Sequence, residues 1–251
     1  MGKKTAELFA RSGFCVYALD ISPVDRAENV IPLCVDITDE QSVRAAYEKV
    51  KETAHGLCGI IHLAGVYALD SLAEMEYAAF ERAFRINVNG AFLVNKTFLL
   101  LLGEGARIIM VTSELAVRDP LPFTGIYSVT KTALDKYAYA LRMELQLLGI
   151  HVSVLRAGAV DTGMLGDSTR QLDRFCAETK LYKCNAARFK AIVDKVESRK
   201  IPPEKIAQKL LCICKKKRPG FAYSINRNKL LIMLDLLPKR MRFYIIRKIL
   251  K

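Results

Sequence analysis

The sequence predicts a doubly wound α/β fold, a parallel sheet with helices on both faces. Three observations carry this reading. Of the 251 residues, 51% are hydrophobic, enough for one large domain with a sizeable core. Short apolar runs bounded by Gly, Ser or Asp alternate with longer segments of helical period. Those apolar runs are continuous, as in strands covered on both faces.

The elements follow in order. Lys3–Ser12 reads as a helix and Phe14–Leu19 as a buried strand. Asp39–Thr53 is helical and Gly59–Leu63 is a strand. Glu76–Leu102 keeps a helical period so long that a break is expected near Asn87–Gly90. Arg107–Thr112 is a strand, Ser128–Leu148 a helix and Val152–Leu155 a strand. From Gly163 to Arg199 the pattern is helical and mixed in charge. Its apolar residues (Met164, Leu165, Leu172, Phe175, Leu181, Tyr182, Phe189) suit a lipophilic ligand and equally suit a packed lid. The expected organisation is one domain over 1–218 and a basic amphipathic extension over 219–251, without internal repeats.

The net charge of +13 is uneven, because residues 215–251 hold twelve Lys and Arg against a single acid, Asp235. The body is therefore nearly neutral, which argues against a nucleic-acid partner. In the tail, Leu230–Leu237 is too short to span a bilayer, and Pro238 ends it. Arg240–Leu250 then sets Met241, Tyr244, Ile245 and Ile249 among Lys and Arg in an amphipathic pattern. Peripheral contact with a membrane surface through 228–251 is the favoured reading; a helix packed on the domain or a partner subunit competes with it. Seven scattered cysteines lack a C-x-x-C pair, and three isolated histidines do not supply zinc spacing, so no metal is expected. Reduced, mostly buried thiols and a cytoplasmic location are expected, with no secretory leader.

In sheets of this kind ligands bind at the carboxyl ends of the strands. Those ends carry Asp20, then Asp36 in Val35-Asp36-Ile37, then Ala64-Gly65, then Thr112-Ser113, then Gly158, Val160 and Thr162. Asp20 suits an adenosine ribose and repels a 2′-phosphate. Tyr127-Ser-Val-Thr-Lys131 opens a helical pattern, so the phenol and the ammonium share one face. A free tyrosine titrates near about pH 10, and a positive neighbour lowers that value. Tyr127 is thus a candidate to exchange a proton with a carbonyl or alcohol oxygen that Ser113 holds. Asn87, at the helix break, is placed to anchor a water linking Lys131 to solvent. A Tyr-x-x-x-Lys pair alone is commonly a solvated helix face. Ser113, fourteen residues upstream at a strand end, and the other strand-end residues make it a site.

Together with Ile86-Asn87-Val88-Asn89-Gly90, these pieces resemble the single-domain branch of the short-chain dehydrogenase/reductase family, from Gly2 to about Arg218. The resemblance implies a Rossmann-like fold and a catalytic tetrad of Asn87, Ser113, Tyr127 and Lys131. It implies NAD held by Gly2, Asp20, Asp36, Ile37, Ala64, Gly65, Tyr127, Lys131, Val160 and Thr162. Lys131 would meet the nicotinamide ribose, Asp36 and Ile37 the adenine, and Val160 and Thr162 the nicotinamide amide. Lys3 and Arg26 leave NADP open. Hydride would pass between the nicotinamide and the carbinol carbon of a secondary alcohol. A steroid-, retinoid- or long-chain-like substrate follows if the tail meets a membrane. A homo-oligomer is expected.

Three departures from the family pattern matter. His62 and Leu63 replace two asparagines, and His62 is expected to tether sheet backbone through a ring nitrogen. Ala157 replaces a proline. The chain opens Met1-Gly2-Lys3-Lys4 where the family has a strand followed by T-G-x-x-x-G-x-G, so Gly2 matches only the last glycine. Two strands are then expected to lose a hydrogen-bonding partner, and the cofactor's pyrophosphate most of its glycine cradle. This predicts a protein that starts upstream. If the departure is genuine, a catalytically inactive binding scaffold is the alternative. A sugar-nucleotide epimerase shares Tyr-x-x-x-Lys but needs a larger second domain.

Overall fold

Period-two alternation within the apolar runs sends neighbouring side chains to opposite faces and builds two cores. In a computed structural model, which describes the backbone of residues 1–251 and the side chains of all but 165, 167, 168 and 197, six strands form. They are β1 (Val16–Asp20), β2 (Val30–Cys34), β3 (Leu57–His62), β4 (Leu102–Ser113), β5 (His151–Ala157) and β6 (Ala222–Ile225). Every pairing between them is parallel. Ile108 and Met110 of β4 and Val152 and Val154 of β5 pack under α5 (Gly125–Leu145) through Leu134, Ala138 and Leu145. Ile109 and Val111 face the other way with Leu155, against Phe9 of α1 (Gly2–Arg11) and Ile206, Leu210 and Ile213 of α8 (Pro203–Cys214). The expected doubly wound architecture is therefore present.

The sheet is divided. The pair β1-β2 is one sheet and β3-β4-β5-β6 another, with no ladder between β1 and β3. Side chains still bridge the division. Tyr17 and Leu19 of β1 and Leu57 and Ile60 of β3 meet Val43 and Val50 of α2 (Glu40–Thr53) and Val94 and Phe98 of α4 (Gly90–Phe98). The two strands that the sequence expects to lose a partner are thus the two that flank the division. Their residues stay half-exposed, whereas the middle of β4 is buried.

Other local features have direct causes. The Asp39 carboxylate caps α2 by accepting from the Gln41 amide at 2.9 Å. The long helical pattern breaks as expected. α3 (Tyr77–Phe84) passes into a π-turn at Arg85–Asn89 before α4 resumes. β2 escapes the sequence pattern because Pro32 interrupts it; a proline is tolerated there because β2 is an edge strand.

The region set apart as an extension begins inside the sheet, since residues 222–225 are edge strand β6. Beyond it, α9 (Lys229–Asp235) and α10 (Lys239–Leu250) fold back on the domain. Leu250 is buried with Leu172 and Phe175 of α6 (Gly163–Glu178) and Phe189 of α7 (Lys183–Glu197). The Asn185 amide donates to the Leu250 carbonyl at 2.7 Å. Arg118, nearly buried, pairs with Asp235, while Arg242 reaches Asp119 at 3.1 Å and Asp235 at 3.4 Å. The packed face of α10 is thus Arg242, Ile246 and Leu250. Met241, Tyr244 and Ile249 are exposed, because the waiting carboxylates draw Arg242 inward and fix the helix phase. Among the described residues, no helix is long and apolar enough to cross a membrane.

Two further expectations are corrected. All seven cysteines are free, but Cys15, Cys34, Cys58, Cys184 and Cys212 are exposed and only Cys176 and Cys214 are partly covered. Cys34 and Cys58 sit on edge strands and four others on helices, while Cys15 lies in the loop before β1, so none is in the core. His62 is tied to a side chain rather than to sheet backbone among the described residues: its Nε2 meets the Asn95 side chain of α4 at 2.7 Å, and Asn95 in turn donates to the Tyr137 hydroxyl at 3.2 Å.

Candidate active site

Three elements bring the predicted tetrad together: the π-turn with Asn87, the end of β4 with Ser113, and the first two turns of α5 with Tyr127 and Lys131. All four residues are buried. The Asn87 side chain accepts from the Val66 amide at 2.8 Å and donates to the Val66 carbonyl and the Thr130 hydroxyl, both at 3.0 Å. These bonds clamp the loop after β3 to α5. At Gly65 a Cβ would lie 3.0 Å from Asn87 Oδ1 and 3.2 Å from Lys131 Nζ, so both groups border the same wall and a side chain would wedge them apart. The Lys131 ammonium stands 5.9 Å from the centre of the Tyr127 ring.

The electrostatics differ from the simple expectation. Burial pushes the Tyr127 phenol up to about 12, against a smaller lowering by the Ser113 hydroxyl beside it. Burial also pushes Lys131 down to about 8. Desolvation outweighs the attraction that was expected to lower the phenol. Lys131 has three donors and directs one to the Val111 carbonyl at a long 3.4 Å. A buried ammonium with donors to spare fits the hydroxyls of a ribose.

The remaining predicted residues lie along the same strand ends. Val160 bridges Ile201, and the bridge uses the amides of Asp161 and Ile201, leaving Val160's own amide outside it. Thr162 stands at the N-cap of α6. Gly158 is indispensable there, because a Cβ would lie 1.9 Å from the Asn226 carbonyl oxygen. Ala64 is exposed beside half-buried Gly65. Asp36 is held below the usual carboxylate range by the Thr38 amide and hydroxyl, and Ile37 fills the space beside Gly90. Asp20 is exposed at the end of β1, where it accepts from the Ser22 amide. Gly2 starts α1, which has no side-chain cap, so its first-turn amides remain available to an anion. The residues expected to meet the nicotinamide half of a dinucleotide are thus densely held. The phosphate half has the first turn of α1.

Several contributors carry no sequence signal of their own. Tyr67 stacks edge-on against Tyr127 with ring centres 4.3 Å apart. Asp135, two turns beyond Tyr127, takes Arg156 of β5 in a bidentate pair at 2.8 and 3.0 Å and accepts from Thr112 at 3.2 Å. Glu114 accepts from the Asn228 amide at 2.8 Å, and burial raises its carboxyl. Only the acid one turn after Lys131 and the arginine on a buried strand could have hinted at the Asp135–Arg156 pair.

Comparison with known proteins agrees with this geometry. The family model for short chain dehydrogenases matches residues 1–173. A 3-ketodihydrosphingosine reductase of Bacteroides thetaiotaomicron is 27% identical over 90% of this chain and 83% of its own. An uncharacterized oxidoreductase of Escherichia coli, YbbO, is 32% identical over 78% and 76%. The crystal structure of a short chain dehydrogenase family protein from Francisella tularensis superposes with a TM-score of 0.74 at 21% identity, covering 89% of this chain and 91% of that one. A short chain dehydrogenase of Burkholderia cenocepacia in complex with NADP gives 0.69 at 22% identity, over 89% and 91%. The chain belongs to the short-chain dehydrogenase family. It is an oxidoreductase of the nicotinamide-dinucleotide-dependent kind.

Proposed function

We propose that this protein interconverts a secondary alcohol and a ketone on a lipophilic small molecule, with Tyr127 as the acid–base residue. The convergence of a buried phenol, the Ser113 hydroxyl beside it and the Lys131 ammonium 5.9 Å from its ring carries this reading. With its titration pushed to about 12, the phenol is protonated at neutral pH and ready to donate to a carbonyl oxygen. Ser113 orients that oxygen. Lys131 holds ribose hydroxyls, and its charge favours the phenolate left after transfer. Asn87 acts as a positioning residue by fixing Val66 against Thr130. The dinucleotide, when bound, supplies or accepts the hydride. Val160 and Thr162 would meet its amide, Asp36 and Ile37 its adenine, and Asp20 its second ribose.

Asp20 supports NAD over NADP. Lys3, a cation near that end, is engaged by Asp25 at 3.2 Å. The relative named for 3-ketodihydrosphingosine supports a long-chain ketone, as does the apolar cluster that Leu69 forms with Leu172 and Phe175 of α6 and Phe189 of α7. In that lid the Leu165 side chain lies outside the described residues. Exposed Phe92 on α4 and Tyr139 and Met143 on α5 support a homo-oligomer. A cytoplasmic protein touching a membrane surface through 228–251 completes the reading. The test is oxidation of NADH and NADPH by the full chain with long-chain ketones and steroids, alongside Tyr127→Phe. Ketone-dependent turnover that the substitution abolishes supports the proposal, and turnover retained by Tyr127→Phe overturns it. Cofactor binding by fluorescence without turnover on any substrate would favour a scaffold.

A further inference from the structure

We infer that the outer face of α9 and α10 is a docking surface for an anionic lipid bilayer, joined rigidly to the lid over the candidate site. The two helices divide their residues sharply. Inward, Ile246 and Leu250 enter the apolar cluster of the lid, and the Asn185 amide fastens the last helical carbonyl. Asp235, the tail's lone acid, is occupied by Arg118 and Arg242. Outward, Leu230, Met233 and Leu236 recur every three residues, 60 to 81% exposed, and Tyr244 of α10 is 63% exposed. Lys229 at the start of α9 and Arg240, Arg247, Lys248 and Lys251, spaced to share the face of Tyr244 on α10, are all exposed and without an ion pair among the described residues.

Exposed apolar residues together with unpaired cations, the one acid being taken up by two arginines, match a surface of negative headgroups over acyl chains. A soluble protein partner would have to supply comparable acidity in one patch; anionic lipid supplies it everywhere. Lys248 lies 5.8 Å from the centre of the Tyr244 ring, a pairing suited to the headgroup boundary, where a ring is half wet and a cation stays hydrated. Because the inner residues of α10 pack on α6 and α7, a bilayer gripping the outer face also steadies the lid. The docking deepens the proposed use of a lipophilic substrate and rests on that reading for its purpose, though not for its geometry.

The experiment is co-sedimentation of the full chain with phosphatidylcholine vesicles, with and without phosphatidylglycerol, at low and raised salt. Binding is expected only with phosphatidylglycerol, and salt should weaken it. The double variant Arg240→Gln, Lys248→Gln should bind about 30-fold less, each cation contributing about a factor of five. Met233→Ser with Leu236→Ser should reduce binding and leave the circular dichroism unchanged. Failure to bind anionic vesicles, equal binding to both vesicle types, or self-association in solution that the same variants abolish would each overturn the docking. Turnover of a water-soluble ketone, followed in the same samples, separates the two readings. Vesicle binding without turnover defeats the proposed function alone, and turnover without vesicle binding defeats the docking alone.

Discussion

The Asp135 carboxylate ties three elements of the site, and its removal has a calculable cost. Its side chain is 6% exposed and holds Arg156, 21% exposed, in a fork of 2.8 and 3.0 Å while also taking the Thr112 hydroxyl. Asp135→Ala leaves a guanidinium and a hydroxyl partly buried without their acceptor. Breaking a buried pair costs about 3–5 kcal/mol, and the lower end applies because Arg156 retains some water. A loss of about 3 kcal/mol lowers the melting temperature of a chain this size by about 6–12 °C. Asp135 sits one turn beyond Lys131, and Thr112 directly precedes Ser113, so slack here also loosens the spacing of Ser113 from Tyr127. Turnover should fall about tenfold, the effect of a small misplacement of the reacting groups, with cofactor affinity retained. Calorimetry on Asp135→Ala, Arg156→Met and the double variant gives the coupling directly. A shift of under about 2 °C for Asp135→Ala, or costs that simply add in the double variant, would refute the clamp.

Other consequences are open to direct measurement. Tyr127→Phe should lower turnover by about 10²–10⁴-fold while reduced-cofactor fluorescence titrations stay unchanged. Burial lowers Lys131 from 10.5 to about 8, so between those values the unfolded chain binds a proton that the folded protein has released, and stability rises with pH. Lys131→Met should abolish that rise in urea melts and stabilise the fold at neutral pH by about 3 kcal/mol. Gly158→Ala should cost about 3 kcal/mol or more, since its Cβ would fall 1.9 Å from backbone oxygen; a soluble variant with unchanged melting would contradict the tight approach of β6 to this loop.

The site was more legible in the sequence than its supports. Tyr127, Lys131, Ser113 and Asn87 fall at strand ends or helix breaks whose patterns are local, and the structure gathers them. β2 was not legible, because Pro32 breaks a five-residue apolar run that only an edge position tolerates. β6 was not, because four residues with alternate exposure resemble any loop. The phase of α10 turned on Asp119 and Asp235, distant or unremarkable in sequence, which capture Arg242. Tyr127 titrates upward because it is buried, and burial is a property of packing that residue spacing does not contain.

The divided sheet has a kinetic meaning. Among the described strands β1 and β2 pair only with each other, their remaining backbone bonds go to adjoining residues such as Asn29 and Val35, and side-chain contacts link them to β3. A two-stranded unit attached in this way opens on its own, below the free energy that unfolds β3 to β6. Native-state hydrogen exchange should therefore release the amides of residues 16–20 and 30–34 well before those of 108–112 and 152–155. Since Asp20, proposed above to meet the adenosine ribose, rides on that first unit, such a grip would breathe while the proposed proton-transfer end stays closed.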